Sequence, residues 1–443
     1  MYEKAAGLME RASPWWTTGA VDKANLGVER PTYLKEVVHE LDSEMVFIIT
    51  GIRRAGKTTL MNQAIQRLID RGVKPKRILY LSLEAFEVKQ AFNSITEIAD
   101  AFSTISSGDR LYLFLDEVHY FDDWETQVKT VFDRFKKRMK IVVSGSSATL
   151  LKSKKATALT GRNVPMIVYP FSFSEFIKLR NADLPNPKED FGVNWKLFSQ
   201  NQDSIQKLLY EYLAYGGFPQ ICTTPDVQDK KKYLQISLDD IIFKDIVKIW
   251  EIKDVNAISN LALYLLQSGC IAQRFSYRKI SEANSIDINT TMNYAGYLNL
   301  CHLFFFVEYY SKALANRFRK EKKVFAIDTG LSNARFPSEN FGALSENAAF
   351  LQLLRGGRSV FYWKDEYEVD LVIEEFGKEP LPIEVKYQNA INPEDFKGLH
   401  SFFKHFKKVK YGIMVTKDRF EAHETKEGRT IQLVPLWLFL LSF

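Results

Sequence analysis

The stretch Gly51-Ile52-Arg53-Arg54-Ala55-Gly56-Lys57-Thr58-Thr59 fits the spacing G-x-x-x-x-G-K-[ST], which polyphosphate chemistry requires. Gly51 and Gly56 let the backbone wrap closely around phosphates, so that the loop from Gly51 through Arg54, Ala55 and Thr59 forms their cradle. Lys57 supplies a point charge for the β and γ oxygens, and Thr58 offers a hydroxyl to Mg²⁺. About 60 residues on, the apolar run Leu111 to Leu115 ends in Asp116-Glu117, a Walker B element. There Asp116 is suited to hold Mg²⁺, directly or through water, and Glu117 to polarise the attacking water. A further strand, Ile141 to Val143, runs into Ser144-Gly145-Ser146-Ser147-Ala148, where Ser146 or Ser144 can touch the γ-phosphate. Arg162 lies beyond it. It reads either as an arginine finger acting in trans or as a surface residue of a basic loop with Lys152, Lys154 and Lys155. The chemistry implied is hydrolysis of ATP with Mg²⁺.

A second group of residues lies near the C-terminal end of the sequence. Ile383-Glu384-Val385-Lys386 reads as a strand, and alternation puts Glu384 and Lys386 on one face. Asp370 follows the strand Val360 to Trp363 and a hairpin from Glu366 to Val369, while Glu346 lies on a helix from Ser345 to Leu354. Asp370, Glu384 and Glu346 can share Mg²⁺ or Mn²⁺, with Lys386 orienting water or steadying charge on phosphorus. This is the D…ExK pattern of the PD-(D/E)XK nucleases. The rival reading is a relic fold in which Glu384 and Lys386 pair with their neighbours and no metal is held.

These residues need elements to position them. Met45 to Ile49 leads into the phosphate loop as a strand, and apolar residues at Leu60, Met61, Ala64, Ile65, Leu68 and Ile69 predict a helix after it, its N-terminus facing the phosphates. Arg77 to Leu83 is a second buried strand, and residues 32–44 form a helix. Residues 1–30, with Pro14, Gly19 and Gly27, read as an irregular lead-in whose aromatics pack on the core. Residues 180–204, broken by Pro185, Pro187 and Gly192, read as a polar linker into a helical lid. In that lid Gly216-Gly217-Phe218-Pro219 forms a sharp turn with no evident chemical role, and Lys231 to Glu251 is a long amphipathic helix.

From residue 254 the pattern changes. Two helices, Ser276 to Ala283 and Asn289 to Leu300, flank a short turn and so predict a helix-turn-helix, with Phe304 to Tyr310 and Lys323 to Ile327 as the strands of a wing. Arg317, Arg319, Lys320, Lys322 and Lys323 in and beside the wing fit phosphate tracking along DNA. The second helix has no Lys or Arg, so recognition by shape is expected rather than by sequence. The rival is a winged helix used only for packing.

Taken together, GIRRAGKTTLM, LFLDEVHYFDDWE, VVSGSSATLL, LTGR, YPFSFSEF and EYLAYGGFPQ resemble the AAA+ ATPases of archaea and bacteria that carry a fused C-terminal domain of restriction-endonuclease type. The resemblance covers nearly the whole chain. It implies an α/β fold, with an AAA+ P-loop parallel sheet and helical lid, then a winged helix, then an α/β restriction-endonuclease-like domain. It gives Lys57, Thr58, Asp116 and Glu117 their usual roles and favours Arg162 as the finger. Serine replaces the commoner asparagine at the sensor strand, and no clear Arg for a second sensor is present. The expected divisions are a lead-in at 1–31, an ATPase core at 32–180, a lid at 181–253, a winged helix at 254–335 and a nuclease-like domain at 336–443. Such motors usually form rings, so a homo-oligomer is expected, with a hexamer among the candidate sizes.

Composition adds bounds. With 443 residues and 46% of them hydrophobic, the chain can build several cores. Three cysteines, far apart, argue against a disulfide framework or a zinc site. No stretch approaches the roughly 18 apolar residues of a membrane span, and Glu3, Lys4, Glu10 and Arg11 interrupt any signal-peptide core. A cytoplasmic protein is expected, with no membrane partner. The net charge of +6 supports a polyanionic partner only weakly. The reading is an ATP-driven motor acting on branched or structured DNA with a nuclease-like module. Its rivals are an ATP-gated signalling or defence switch, and a remodelling ATPase whose C-terminal domain only binds DNA or a partner.

Overall fold

The computed structural model describes residues 2–147, 159–180, 184–270, 274–337 and 341–443; Ala148, Lys152, Lys154 and Lys155 lie outside them. The chain divides into two compact units. The first comprises Met1–Val168 with Lys244–Glu251, the second Tyr169–Phe243 with Ile252–Phe443.

The first unit is built on a five-stranded sheet of β1 (Val46–Gly51), β2 (Ile78–Ser82), β3 (Leu111–Asp116), β4 (Met139–Ser146) and β5 (Asn163–Ile167), in the order β2-β3-β4-β1-β5. All its pairings are parallel. A parallel sheet covered on both faces needs nearly continuous apolar strands, and β3 is buried at every position. The helix Lys57–Asp70 then buries Leu60, Met61, Ala64, Ile65 and Leu68, the stripe that its spacing predicts. Residues 1–30 are not irregular. They form helices Tyr2–Ala12, Trp15–Thr18 and Lys23–Leu26, because Pro14, Gly19 and Gly27 act as helix caps instead of breaking the chain. The expected aromatic packing is present: the indole N–H groups of Trp15 and Trp16 both donate to the Ile78 carbonyl, at 2.9 and 2.7 Å.

The second unit holds two sheets. A three-stranded sheet, β6-β8-β7, comprises β6 (Arg274–Phe275), β7 (Phe304–Val307) and β8 (Lys322–Ala326). A six-stranded mixed sheet, β13-β14-β12-β11-β10-β9, comprises β9 (Ser359–Lys364), β10 (Glu368–Glu374), β11 (Leu381–Lys386), β12 (Tyr411–Thr416), β13 (Glu421–Glu424) and β14 (Thr430–Pro435). Helices Tyr277–Asn284 and Ile288–Leu300 flank a short turn as expected, and β7 pairs antiparallel with β8. Between those strands, however, the chain forms a helix, Leu314–Arg319, where the loop of a wing is expected.

Part of the expected linker is also structured. Phe191–Phe198 is a helix capped by Asp190, and Asn194 Nδ2 donates to Leu441 O and Ser442 Oγ of the C-terminal helix Leu436–Ser442. Trp195 stacks on Trp437 at 5.8 Å. The prolines and polar residues mask an aromatic face made by Phe191, Trp195 and Phe198 at helical spacing.

Candidate functional site

The phosphate loop keeps its shape through specific contacts. Gly51 has φ +145°, and a Cβ there would come 2.3 Å from the Val168 carbonyl oxygen, so only glycine fits. Gly56, at φ +96°, turns the chain into the next helix. Arg54 also occupies the left-handed region, at φ +68°. Ala55 is buried, and its carbonyl accepts from Arg30 Nη1 at 3.1 Å. Lys57 Nζ folds back on the loop, 3.1 Å from Gly51 O and 3.2 Å from Ile52 O.

Asp116 gathers hydroxyls. Its Oδ2 accepts from Thr58 Oγ1 at 2.7 Å and from Tyr80 OH at 2.9 Å, and its Oδ1 accepts from Ser144 Oγ. Thr58 and Asp116, paired by reading the sequence, therefore meet directly. Ser144 is the serine on Asp116; Ser146 is buried one alternation further along β4. Tyr80 was not foreseen. Its position on β2, beside β3, was the available signal, since Ser82 pairs with Asp116 and Tyr80 with Phe114. Burial, together with the charge of Asp116, raises the Tyr80 phenol and keeps it a donor.

Glu117 comes next, at φ +55°, a conformation that a non-glycine residue holds only where its surroundings enforce it. Burial alone would raise its carboxyl, but His119, Lys57 and Arg53 outweigh burial and hold it at about 2. His119 Nδ1 lies 3.3 Å from Glu117 Oε2 without donor–acceptor alignment, and Oε2 is buried with no hydrogen-bond partner among the described residues. An ionised carboxylate with unused acceptor capacity is what a water-orienting group requires.

Arg53, inside the loop, is held by Asp245. Its Nε lies 3.1 and 3.2 Å from the two carboxylate oxygens and its Nη2 2.8 Å from Oδ1. Asp245 sits in a π-helical stretch, Ile241–Val247, that interrupts the long helix expected there. Irregular turns of this kind recur at functional positions. Arg162, by contrast, is 40% exposed and lies 3.5 Å from Asp133.

The C-terminal residues also converge. Asp370 on β10 and Glu384 and Lys386 on β11 lie on strands that pair antiparallel, and Glu346 lies on the helix Phe341–Arg355. Asp370 Oδ2 accepts from Val385 N at 2.9 Å, and Lys386 Nζ lies 2.5 Å from Glu384 Oε1. Lys323 enters this group. Its Nζ is 2.7 Å from Glu346 Oε1, 2.7 Å from Glu368 Oε1 and 3.1 Å from Asp370 Oδ1. Burial raises the Glu346 and Glu384 carboxyls, whereas Lys323 and Lys386 pull Asp370 down against its burial. Among the described residues, no group of three or more His, Cys, Asp or Glu is arranged to hold a metal ion.

The five cations expected to track DNA separate accordingly. Lys323, 1% exposed, has no surface to offer a phosphate, because β8 turns it inward onto the carboxylates. Arg317 pairs with Glu374 and lies over the Phe361 ring, and Lys322 pairs with Glu308. Arg319 and Lys320 are exposed.

The Gly216-Gly217 turn, which had no evident role, encloses a carboxylate. Asp328 Oδ2 accepts from Gly217 N at 2.6 Å and Oδ1 from Gly330 N at 2.9 Å. A Cβ on Gly216 would fall 1.7 Å from Asp328 Oδ1. Burial pushes this carboxyl up to about 7, against the amides that favour its charge.

The parallel sheet, the phosphate loop after β1 and the acidic pair ending β3 define an AAA+ ATPase domain, which binds and hydrolyses ATP. Residues 43–177 match the family model described as an AAA domain. Residues 206–340 and 341–439 match two domains of unknown function, DUF8612 and DUF4143. The chain is 29% identical over 422 residues to an uncharacterized protein of Haemophilus influenzae, covering 93% of this chain and 98% of the relative. It is 27% identical over 447 residues to an uncharacterized protein of Methanocaldococcus jannaschii, covering 96% and 94%. The structure of AMPPCP-bound DnaA from Aquifex aeolicus aligns with 65% of this chain and 92% of its own at 16% identity and a TM-score of 0.28, too low to carry an argument. No helix among the described residues is long and apolar enough to cross a membrane.

Proposed function

We propose that this protein is an ATP-driven motor acting on structured DNA, with a winged helix at 254–335 and a PD-(D/E)XK-like module at 336–443. The observation that carries the motor is the meeting of Thr58 and Asp116 beside Glu117, whose carboxyl is held ionised. The donor set suits ATP with Mg²⁺: a loop that admits no Cβ at Gly51, an ammonium at Lys57, and a hydroxyl and carboxylate already in contact. Thr58 and Asp116 would hold Mg²⁺, which when bound neutralises charge on the β and γ oxygens. Lys57 leaves the loop carbonyls for the phosphates, Ser144 keeps Asp116 oriented, and Glu117 aligns the attacking water. Arg162, exposed, reaches a neighbouring subunit's site in a homo-oligomeric ring.

For DNA, the support is a helix-turn-helix beside exposed Arg319 and Lys320, with Arg278 and Lys279 exposed on the first helix. A second helix without Lys or Arg offers little base readout, which favours backbone and shape over sequence. The test is steady-state ATP hydrolysis with and without linear, forked and four-way DNA. Stimulation by one of these forms supports the motor; turnover unchanged by all three, without binding at low salt, favours an ATP-gated switch. Mixing Arg162→Ala with Lys57→Ala subunits should restore part of the hydrolysis that each lacks. No recovery in demonstrated mixed oligomers returns Arg162 to the surface role.

A further inference from the structure

The C-terminal carboxylates expected to share a divalent ion come close together, yet they do not fit one. Lys323 explains why. An ammonium carries three N–H donors, and three carboxylate oxygens, one each from Glu346, Glu368 and Asp370, lie within 3.1 Å of Lys323 Nζ. Those three residues come from a helix and two positions of β10, so the ammonium is their common centre. Oxygens ranged around nitrogen at 2.7 to 3.1 Å stand too far out for Mg²⁺, which takes oxygens at about 2.0–2.1 Å. Three further acceptors are engaged too: Asp370 Oδ2 by the Val385 amide, Glu368 Oε2 by Arg274 Nε at 3.1 Å, and Glu384 Oε1 by Lys386. Glu384 Oε2 is buried without a hydrogen-bond partner, but one oxygen does not make a site for a divalent ion.

The cation comes from outside the six-stranded sheet. Lys323 is on β8, which pairs with β6 and β7, and its neighbour Lys322 points the other way to pair with Glu308. Alternation along β8 therefore commits one lysine to the cluster and one to the outside. This commitment makes Lys323 the most enclosed of the five wing cations.

We propose that the Lys323 ammonium is the resident cation of this cluster, standing where a divalent metal ion would be held, so that the module is closed to metal while β8 keeps its register. The proposal rests on the nuclease-like reading of 336–443 and specifies what that module lacks. Without a divalent ion the metal-bound water that Asp370 and Glu384 would serve is missing. The module then contributes binding, and Lys386 serves Glu384 rather than catalysis.

The test is Mn²⁺ uptake by the full-length, nucleotide-free protein, followed by electron paramagnetic resonance, in four chains: wild type, Asp370→Asn, Lys323→Ala and the double variant. Wild type and Asp370→Asn should take up the same amount, because Asp370 holds no metal. Lys323→Ala should gain about one equivalent, which Asp370→Asn removes in the double variant. If wild type binds Mn²⁺ and Asp370→Asn loses an equivalent, the ammonium does not exclude metal; the proposal fails and the nuclease-like reading stands. If folded Lys323→Ala gains nothing, the carboxylates are not a metal position, and both fail. Should Lys323→Ala not fold, the comparison of wild type with Asp370→Asn still decides whether metal is excluded.

Discussion

Around Asp116 the buried carboxylate is met by hydroxyls, from Thr58, Ser144 and Tyr80, whereas around Asp370 the carboxylates are met by the ammonium of Lys323. The residue types are similar, but the capacities are opposite. A hydroxyl is donor and acceptor at once and can rotate to yield its carboxylate oxygen to an incoming cation. An ammonium is donor only, and removing it leaves buried negative charge uncompensated. A cluster of acids is thus open or closed to metal according to the charge of its partners, and counting carboxylates does not distinguish the two.

The most direct way to break this comparison is at the open site. Glu117→Gln should retain ATP yet lose turnover by about 10²- to 10⁴-fold, the range for a positioned general base, while Lys57→Ala should lose nucleotide binding. Nucleotide titration run beside steady-state hydrolysis distinguishes them. Normal turnover in Glu117→Gln would remove that residue from the chemistry. At the closed site the effect should fall on stability instead. Lys323→Met should lower unfolding free energy by about 3–5 kcal/mol in urea, as expected for breaking a buried ion pair from one side. Glu117→Gln gives up only the attraction of His119, Lys57 and Arg53 for one carboxylate, and its loss should stay below that of Lys323→Met, which strands three carboxylates. Equal losses in the two variants would erase the distinction.

A third pair, Arg53 with Asp245, lies between these extremes: charged on both sides, with Asp245 buried and Arg53 partly exposed. Asp245→Asn should destabilise the protein by about 1–3 kcal/mol and raise the KM for ATP more than it lowers kcat, because Arg53 positions the loop without touching the water. A fall in kcat alone would instead put Asp245 in the hydrolytic step. At Asp328, whose partners are backbone amides, the effect depends on pH. Its carboxyl, held near 7 in the fold, has an ordinary value of about 3.9 when unfolded. An acid raised in this way binds its proton more tightly when folded, so its contribution is full below about pH 4 and declines as pH rises to about 7. Urea unfolding between pH 5 and 8 should show that decline in the wild type and a flatter profile in Asp328→Asn. Parallel profiles would exclude Asp328 as the source.

Much of the open site was legible in the sequence because its residues are local: Gly51 to Thr58 form one loop, and Asp116 and Glu117 end one strand. Tyr80 and Asp245 were not legible, since strand order and a π-helical turn bring them in. At the closed site the D…ExK spacing located Asp370, Glu384 and Lys386 but could not identify Lys323 as their companion, because it comes from a strand of another sheet. Lys323 was grouped with Arg319 and Lys320 on charge density alone. Only the alternation of β8 separates a lysine facing inward from one facing out. In the same way, Pro14 and Gly19 read as an irregular lead-in until they are seen to cap a helix of four residues.

The π-helical stretch Ile241–Val247 also makes the chain sensitive to length. A π turn takes one more residue than an α turn, so deleting a single residue there lets the stretch relax to α while its C-terminal continuation keeps nearly the same facing, and the residues inside the stretch, Asp245 among them, shift around the helix axis. Asp245 would no longer face Arg53, although both residues would remain in the sequence. An alignment scored on residue identity would count such a variant as nearly unchanged, yet its phosphate loop would have lost its anchor; a one-residue gap here carries more information than many substitutions.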